Sequence, residues 1–197
     1  MMQAAADASA PTPMRSQRVL LVVGLLTLGA IVYLRLLGRV WWCACRSFKP
    51  ISLHVASQHN SQHLFDAYSL SHMLHGILFF GALWLLRHRL SLSTRAIIAS
   101  AIEIAWEMLE NSPIIINRYR ANTMALGYSG DSIVNSLGDI LSFVLGFYVA
   151  RKLGLWWSIG IFLGVELLML FLMRDNLTLN VLMLLWPIDA IRRWQGG

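Results

Sequence analysis

One stretch of the chain decides the fold class: residues Leu155–Met173 read LWWSIGIFLGVELLMLFLM. The stretch is about 20 residues long, the length that an α-helix needs to cross ~30 Å of hydrocarbon. Glu166 is its only ionisable residue. A run of this length and hydropathy predicts a transmembrane helix rather than a helix buried in a soluble core.

Further apolar segments lie on both sides of this one. Four have about 18–21 residues, again close to the length of a span: Val19–Leu37, Ser69–Leu86, Ala96–Ile116 and Asp131–Ala150. A sixth, Leu177–Ile191, is short and contains Pro187, so a thin crossing, a re-entrant piece and an interfacial helix remain open for it. The sequence therefore predicts an all-α polytopic membrane bundle of five or six helices, formed by one domain over residues 19–197 after a disordered tail over residues 1–18.

The composition supports the same class and excludes others. Hydrophobic residues make up 57% of the 197-residue chain and charged residues 13%, against ~45–50% and ~25% in soluble domains. These values exclude a disordered chain and argue against a soluble enzyme. The net charge is +6, but the basic residues fall between apolar segments, where they orient helices and contact anionic headgroups. Membrane lipids, and not nucleic acid, are the expected partners.

The basic residues between the segments also predict the orientation. The short connections 87–95 and 151–154 are basic and contain no acidic residue, which is typical of cytoplasmic loops. This places the N-terminus in the cytoplasm and two longer connections, 39–68 and 117–130, outside the cell inner membrane. Because functional residues concentrate in elaborate loops, we expect the site to face the periplasm.

Ionisable residues inside two apolar segments predict a functional site, since such residues are costly in a membrane. His72 and His75 lie three residues apart on one helical face, and Glu103, Glu107 and Glu110 form one stripe. Glu107 and Glu110 are the candidate acid–base groups. The two histidines are candidates for catalytic proton transfer or for ligands of a divalent metal. Interhelical hydrogen bonding is the structural alternative.

More polar residues are expected to converge on the same outer region. Asp131 is a candidate catalytic group and a natural N-cap for the fourth segment. Arginines can clamp a phosphate or carboxylate, with headgroup or solvent contacts as the alternative. Gly138 and Gly146 would allow a close approach between helices. The candidate substrate-binding residues are Arg118, Arg120, Asn135, Asp139, Arg174 and Asp175.

Two cysteines, Cys43 and Cys45, lie in the first outer loop, which also contains His54, His59 and His63. The single residue between the cysteines is shorter than the two-residue gap of zinc knuckles, and two cysteines give no disulfide framework. A redox pair, a metal pair with the loop histidines and two ordinary small residues remain open.

Several short polar motifs are distributed over residues 39–197. They read NSQH (60–63), YSLSH (68–72), WE (106–107), ENSP (110–113), RYR (118–120), GDS (130–132), RDNLTLN (174–180) and WQGG (194–197). Together they resemble a family of small bacterial multi-pass membrane proteins that is known only as an uncharacterised family with a domain of unknown function. The resemblance implies a cell-membrane location and no established activity.

A second pattern is similar to that of VanZ-like membrane proteins, in which an Asp-Lys-x-x-His helix start precedes a Glu helix, an Arg and Asp-x-x-x-Asn-x-x-Gly. The counterparts are Ser71-His72-x-x-His75, Glu107 or Glu110, Arg118 or Arg120, and Asp131-x-x-x-Asn135-x-x-Gly138. The Ser-His in place of Asp-Lys departs from that pattern. This resemblance implies a role in the cell envelope and in glycopeptide tolerance.

Three function classes follow from these observations. The first is an envelope enzyme that modifies or hydrolyses a lipid or lipid-linked headgroup, with the residues above as acid–base groups, metal ligands and anion clamp. The second is a non-catalytic binder or transporter of a lipid, an ion or a proton. The third is a structural partner of a larger membrane complex.

Overall fold

The computed structural model describes residues 16–55, 57–123 and 127–196, and most of these residues are helical. Two short strands, β1 (Ile51–Ser52) and β2 (Phe65–Asp66), pair in parallel before the second helix. The all-α prediction is confirmed, because these two strands have only two residues each and the rest of the described regular structure is helical. In chain order the helices are α1 (Ser16–Leu36), α2 (Ser69–Trp84), α3 (Leu92–Glu110), α4 (Pro113–Asn122), α5 (Ile133–Leu153), α6 (Leu155–Met173), α7 (Leu177–Leu185) and α8 (Asp189–Gly196).

The N-terminal tail predicted over residues 1–18 falls mainly outside the described part of the chain. The description starts at Ser16, which is also the first residue of α1. Residues 16–18 therefore belong to the first helix.

Three of the described helices are long and apolar enough to cross a membrane, namely α1, α5 and α6. Helix α2 is apolar but has only 16 residues. Helix α3 has 19 residues but carries Arg95 and the predicted glutamate stripe. By length and composition, the structure thus supports three spans, and α2 and α3 pack between them without meeting the same criteria.

Prolines change two of the predicted segments. The segment Ala96–Ile116 is not one helix, because α3 ends at Glu110 and Pro113 begins α4, where the missing backbone N–H of proline has no cost. The segment Leu177–Ile191 is divided at Pro187 into α7 and α8. These have 9 and 8 residues, too few for either to span a membrane.

The most extensive packing in the bundle joins α2 and α5. Gly76 on α2 faces the backbone of Phe143, and Gly146 on α5 faces the backbone of Met73. A methyl group on either glycine would collide with the main chain of the other helix. The two helices therefore cross at a distance that only glycine permits, as predicted for Gly146.

The connection between α1 and α2 folds against the start of α5. Ser132 donates its backbone N–H to the carbonyl of Ser61 and its hydroxyl to the carbonyl of Gln62. Asn135 Nδ2 donates to the carbonyl of His63 at 2.9 Å. Gly138, predicted to face a helix, faces the backbone of Leu64 in this loop. The loop is therefore held on the bundle and forms one wall of the site.

Candidate functional site

A cavity of about 50 Å³ lies at one end of the bundle. Since a water-sized molecule needs ~10–15 Å³ of such space, the cavity holds a few. Its walls come from the loop before α2, the starts of α2 and α5, the end of α3, and helices α4 and α7. The described lining contains no lysine or arginine, and its ionisable acid and histidine groups are Asp66, His72, His75, Glu110, Asp131 and Asp139.

His72 lies at the centre of the site, in the first turn of α2. Its Nδ1 is 2.7 Å from Oε1 of Glu103 and 3.2 Å from Oε1 of Glu107. Its Nε2 is 4.0 Å from Oδ2 of Asp139. All four side chains are buried. Carboxylates thus approach both ring nitrogens, an arrangement that suits a doubly protonated imidazole or a cation held between the ring and the carboxylates.

His75 lies one turn further along α2 and shares a carboxylate with His72. Its Nδ1 is 3.1 Å from Oε2 of Glu103, and the two histidine rings are 5.2 Å apart, edge to face. The structure therefore brings the predicted histidine pair onto the predicted glutamate stripe. The carboxylate common to both rings is that of Glu103.

Glu107 is 0% exposed, yet neither of its carboxylate oxygens accepts a hydrogen bond from the described residues. Its close contact is the ion pair with His72. A buried carboxylate without hydrogen bonds is costly. A group of this kind in a native protein calls for a proton on the carboxyl or for a bound cation.

Two overlapping sets of side chains could hold a metal ion. One contains His72, His75 and Glu103, and the other contains His72, Glu107 and Asp139. Within each set, one candidate ligand atom from each residue lies within 4.8 Å of the others. Imidazole and carboxylate ligands suit Zn²⁺, Mn²⁺ and Fe²⁺. The sequence predicted only the histidines as ligands, and the structure adds three carboxylates from α3 and α5.

Asp131 lines the cavity but does not cap α5. The N-cap is Ser132, whose side chain accepts from the backbone N–H of Asn135 at 3.1 Å, so the capping prediction for Asp131 was wrong. Asp131 instead accepts from Asn111 Nδ2 at 2.7 Å and from the Tyr128 hydroxyl at 2.9 Å. Burial raises the pKa of Asp131 to about 6, although these two hydrogen bonds act in the opposite direction. Asp131 therefore titrates close to neutral pH.

Glu110, the last residue of the glutamate stripe, also lines the cavity. Its Oε2 accepts no hydrogen bond from the described residues. Nearby, Tyr119 on α4 donates its hydroxyl to Oδ1 of Asn180 on α7 at 3.1 Å. The two short helices thus join over the cavity, and Glu110 is an acid on the cavity wall whose Oε2 has no hydrogen-bond donor among the described residues.

The arginines predicted to clamp an anion lie outside the described lining. Arg118 donates from Nε to the carbonyl of Leu184 at 2.8 Å and from Nη2 to that of Leu185 at 3.2 Å. These carbonyls end α7, where the helix dipole favours a cation. Arg120 donates to the carbonyl of Tyr128. Both arginines therefore hold main chain in place around the cavity.

The remaining predicted substrate-binding residues are mainly structural in their contacts. Arg174 donates to the carbonyl of Trp194 at 3.3 Å. Asp175 accepts from the Tyr68 hydroxyl at 3.0 Å and from Gln195 Nε2 at 3.1 Å, and burial raises its pKa. Asn135 binds the loop before α2, as described above. Of this predicted set, only Asp139 lines the cavity.

Asp66 lines the cavity and was not among the predicted site residues. Its Oδ2 accepts from the N–H and the hydroxyl of Ser61, both at 3.0 Å, and its Oδ1 accepts from the N–H of Ser69 at 2.9 Å. Ser69 in turn donates its hydroxyl to Oδ1 of Asp139 at 2.6 Å. Asp66 thus caps the first backbone N–H of α2, that of Ser69. A loop residue has no helical periodicity, and only the Asp-x-x-Ser spacing before α2 could have indicated this role.

Comparisons with known proteins agree with the first resemblance. The model of a family described as "Protein of unknown function (DUF2585)" matches residues 34–197. A UPF0314 protein of Paracoccus denitrificans is 49% identical over 168 residues, covering 85% of this chain and 87% of the relative. A UPF0314 protein of Agrobacterium fabrum is 48% identical over 183 residues, covering 93% and 92%. No solved structure matches, and these matches lend no support to the similarity with VanZ-like proteins.

Proposed function

We propose that this protein, which belongs to the DUF2585 family of proteins of unknown function, is a membrane-embedded enzyme that binds a divalent metal and modifies or hydrolyses a lipid or lipid-linked substrate. One observation carries the proposal. A single buried histidine, His72, contacts three carboxylates, and one of them, Glu107, accepts no hydrogen bond from the described residues.

The balance of charge supports a bound cation. Glu103, Glu107 and Asp139 surround His72 and His75, and further acids line the same cavity. Even two protonated histidines would leave the carboxylates in excess. Excess negative charge is strongly unfavourable in a buried site of low dielectric constant. A divalent metal would neutralise it and would give the free oxygens of Glu107 a partner.

The metal would also explain how an acidic cavity binds an anionic headgroup. The described lining has no lysine or arginine, so its side chains offer no fixed positive charge to a phosphate. A bound divalent ion would supply that charge, polarise a phosphoryl or carbonyl oxygen and lower the pKa of a bound water. The apolar part of the lining, with Trp106, Leu177 and Val181, suits the start of an acyl or isoprenoid chain.

The positions of the acidic residues suggest a separate role for each of them in this enzyme. Glu103 contacts the Nδ1 atoms of His72 and His75 and fixes the orientation of both rings. Glu110 lies on the cavity wall with a free oxygen, which is the position required of a group that takes or gives a proton. Asp131, with its pKa near 6, is the second acid–base candidate.

We propose five spans, α1, α2, α3, α5 and α6, with the N-terminus in the cytoplasm and the cavity facing the periplasm. Exposed tryptophans at both ends of the bundle support a membrane between them, Trp156 and Trp157 at one end and Trp186 and Trp194 at the other. The basic connections 87–95 and 151–154 lie at the end away from the cavity, which favours a cytoplasmic location for that end.

A carrier or binder of cations is the second candidate. The small volume of the cavity, about 50 Å³, fits an ion better than a whole headgroup. In that case, protein in vesicles would show cation flux that depends on pH and membrane potential, and no lipid would be altered.

The experiment compares the lipids of membranes that contain wild-type protein or Glu107→Gln, at equal abundance, by mass spectrometry. We expect one lipid or lipid-linked class to change with the wild type, and the change to disappear with Glu107→Gln or after chelation of divalent metals. Glu166→Gln is the matched control, because Glu166 is also a buried glutamate but belongs to neither of the two described sets around His72 that could hold a metal. Lipid profiles that are identical with and without the wild-type protein would contradict an enzymatic role.

A further inference from the structure

We propose that Cys43, Cys45, His59 and His63 form a second, structural metal site that binds zinc, separate from the acidic cavity. One ligand atom from each of the four residues lies within 4.8 Å of the others. Two thiolates and two imidazoles are a set that selects tetrahedral Zn²⁺. None of the four belongs to the described cavity lining.

The distances between the ligand atoms fit a tetrahedral ion. Cys43 Sγ is 3.3 Å from Nδ1 of His59, and Cys45 Sγ is 3.8 Å from Nε2 of His63. With Zn–S of ~2.3 Å and Zn–N of ~2.0–2.1 Å, tetrahedral angles place sulfur and nitrogen ligands about 3.6 Å apart. The two observed distances lie on either side of this value, so one ion could contact all four residues with small adjustments.

The second nitrogen of His63 is already held in the manner of a metal ligand. Its Nδ1 is 2.6 Å from the carbonyl of Lys49, and this carbonyl can only accept, so Nδ1 carries the proton. The tautomer is therefore fixed with Nε2 unprotonated, on the side of Cys45. Metal-binding histidines are characteristically oriented by such a hydrogen bond from the nitrogen that does not bind the metal.

A backbone amide donates to the sulfur atom of each of the two cysteines. The N–H of Cys45 donates to Sγ of Cys43 at 3.4 Å, and the N–H of Ser47 donates to Sγ of Cys45 at 3.5 Å. Zinc binds thiolate and not thiol. The spacing of one residue between the cysteines was a weak sequence signal for zinc. In the structure, the chain turns after Cys43 so that a backbone N–H points at each sulfur atom.

The position of the site gives it a structural role. Among its described residues, the connection 37–68 has only the two-residue strands β1 and β2 as regular structure. Backbone pairing between its two arms near the cysteines includes the bond from Cys43 N–H to the Gln62 carbonyl at 3.1 Å. A metal would join the arm 43–45 to the arm 59–63. The second arm contains Ser61 and leads to Asp66, and both residues lie on the cavity wall, so the metal would hold that wall in place.

The test measures zinc by elemental analysis and Co²⁺ substitution by absorption, in the full-length protein purified without chelators. We expect wild-type protein to bind Co²⁺ with a thiolate-to-metal charge-transfer band, and Cys43→Ser/Cys45→Ser to lose this band and one equivalent of zinc. His54→Ala is the matched control, since His54 lies in the same loop but is exposed and outside the cluster. The His72 cavity has no described cysteine, so this band is independent of the proposed enzymatic site.

A second measurement needs no substitution in the cluster. Arg46 is exposed, lies between the two arms and is followed by Ser47, so we expect trypsin to cleave after Arg46 faster once zinc is removed and more slowly once zinc is restored. A Co²⁺ complex without a thiolate band, equal zinc content in wild type and Cys43→Ser/Cys45→Ser, or a Cys43–Cys45 disulfide in the isolated protein would overturn the proposal.

Discussion

Glu107→Gln is expected to reduce catalysis by orders of magnitude and, in metal-free protein, to leave the fold at least as stable as that of the wild type. Glutamine has the shape of glutamate without the charge, and Glu107 lies fully buried among other acids with no hydrogen bond from the described residues. Removing one of the three carboxylates around His72 relieves desolvation and repulsion between the acids, while Glu103 and Asp139 remain beside the ring. The same change removes a carboxylate from the proposed metal site. We expect activity to fall by about 10²- to 10⁴-fold, while the midpoint of thermal unfolding in detergent stays equal or rises.

Glu166→Gln gives the opposite pattern and serves as the control. Glu166 accepts from the backbone N–H groups of Leu177 and Thr178 at 2.9 and 3.2 Å and so caps the start of α7. Loss of these charged hydrogen bonds is expected to cost about 1–3 kcal/mol of stability while activity in the remaining folded protein is retained. Loss of stability in metal-free Glu107→Gln, with activity retained, would mean that Glu107 has a purely structural role.

Gly76→Ala is expected to destabilise the bundle by about 1–3 kcal/mol or more. A Cβ at this position would meet the carbonyl oxygen of Phe143 and the backbone of Phe147, and backbone atoms cannot move aside without separating α2 from α5. Unfolding of the purified protein, followed by circular dichroism against temperature, measures the change. Because the same crossing brings His72 to Asp139, we also expect metal affinity to fall.

Gly81→Ala is the matched control on the same helix. Apart from the nearby backbone of α2 itself, no atom of the described residues lies within 4 Å of the Cβ position at Gly81, and alanine is the better helix former by up to about 1 kcal/mol. Its unfolding midpoint should equal or exceed that of the wild type. Equal stability of the Gly76→Ala and Gly81→Ala proteins would show that α2 and α5 do not cross as closely as described.

The periodicity and length of the apolar segments were enough to predict a helical bundle, because a membrane imposes both on any chain that crosses it. The interruptions at Pro113 and Pro187 were harder to place, since proline kinks some helices and ends others. The count of spans is also weakly determined by sequence. Helix α3 combines a helical pattern with several charges, and hydropathy alone cannot decide whether such a helix crosses.

The residues at the centre of the site were predictable because the two histidines share one face of α2 and the glutamates share one face of α3. His72 with His75, and Glu103 with Glu107, follow helical spacing, and their meeting required only that α2 and α3 be neighbours. The contacts of Asn135 and Arg118 depend instead on where loops and short helices return to the bundle. Such tertiary contacts follow no spacing rule, so the spacing of the arginines could not distinguish an anion clamp from a cap on a helix end.

The most direct test of the metal centre is the metal content of Cys43→Ser/Cys45→Ser protein, with and without the further changes His72→Ala/His75→Ala. The cysteine substitutions remove the proposed structural zinc and leave the cavity as the remaining proposed site. We predict about one equivalent of a divalent metal in the first protein and none in the second, with both proteins eluting as folded particles of the same size. A first protein without metal, or a metal content unchanged by loss of the two histidines, would contradict a metal site in this cavity.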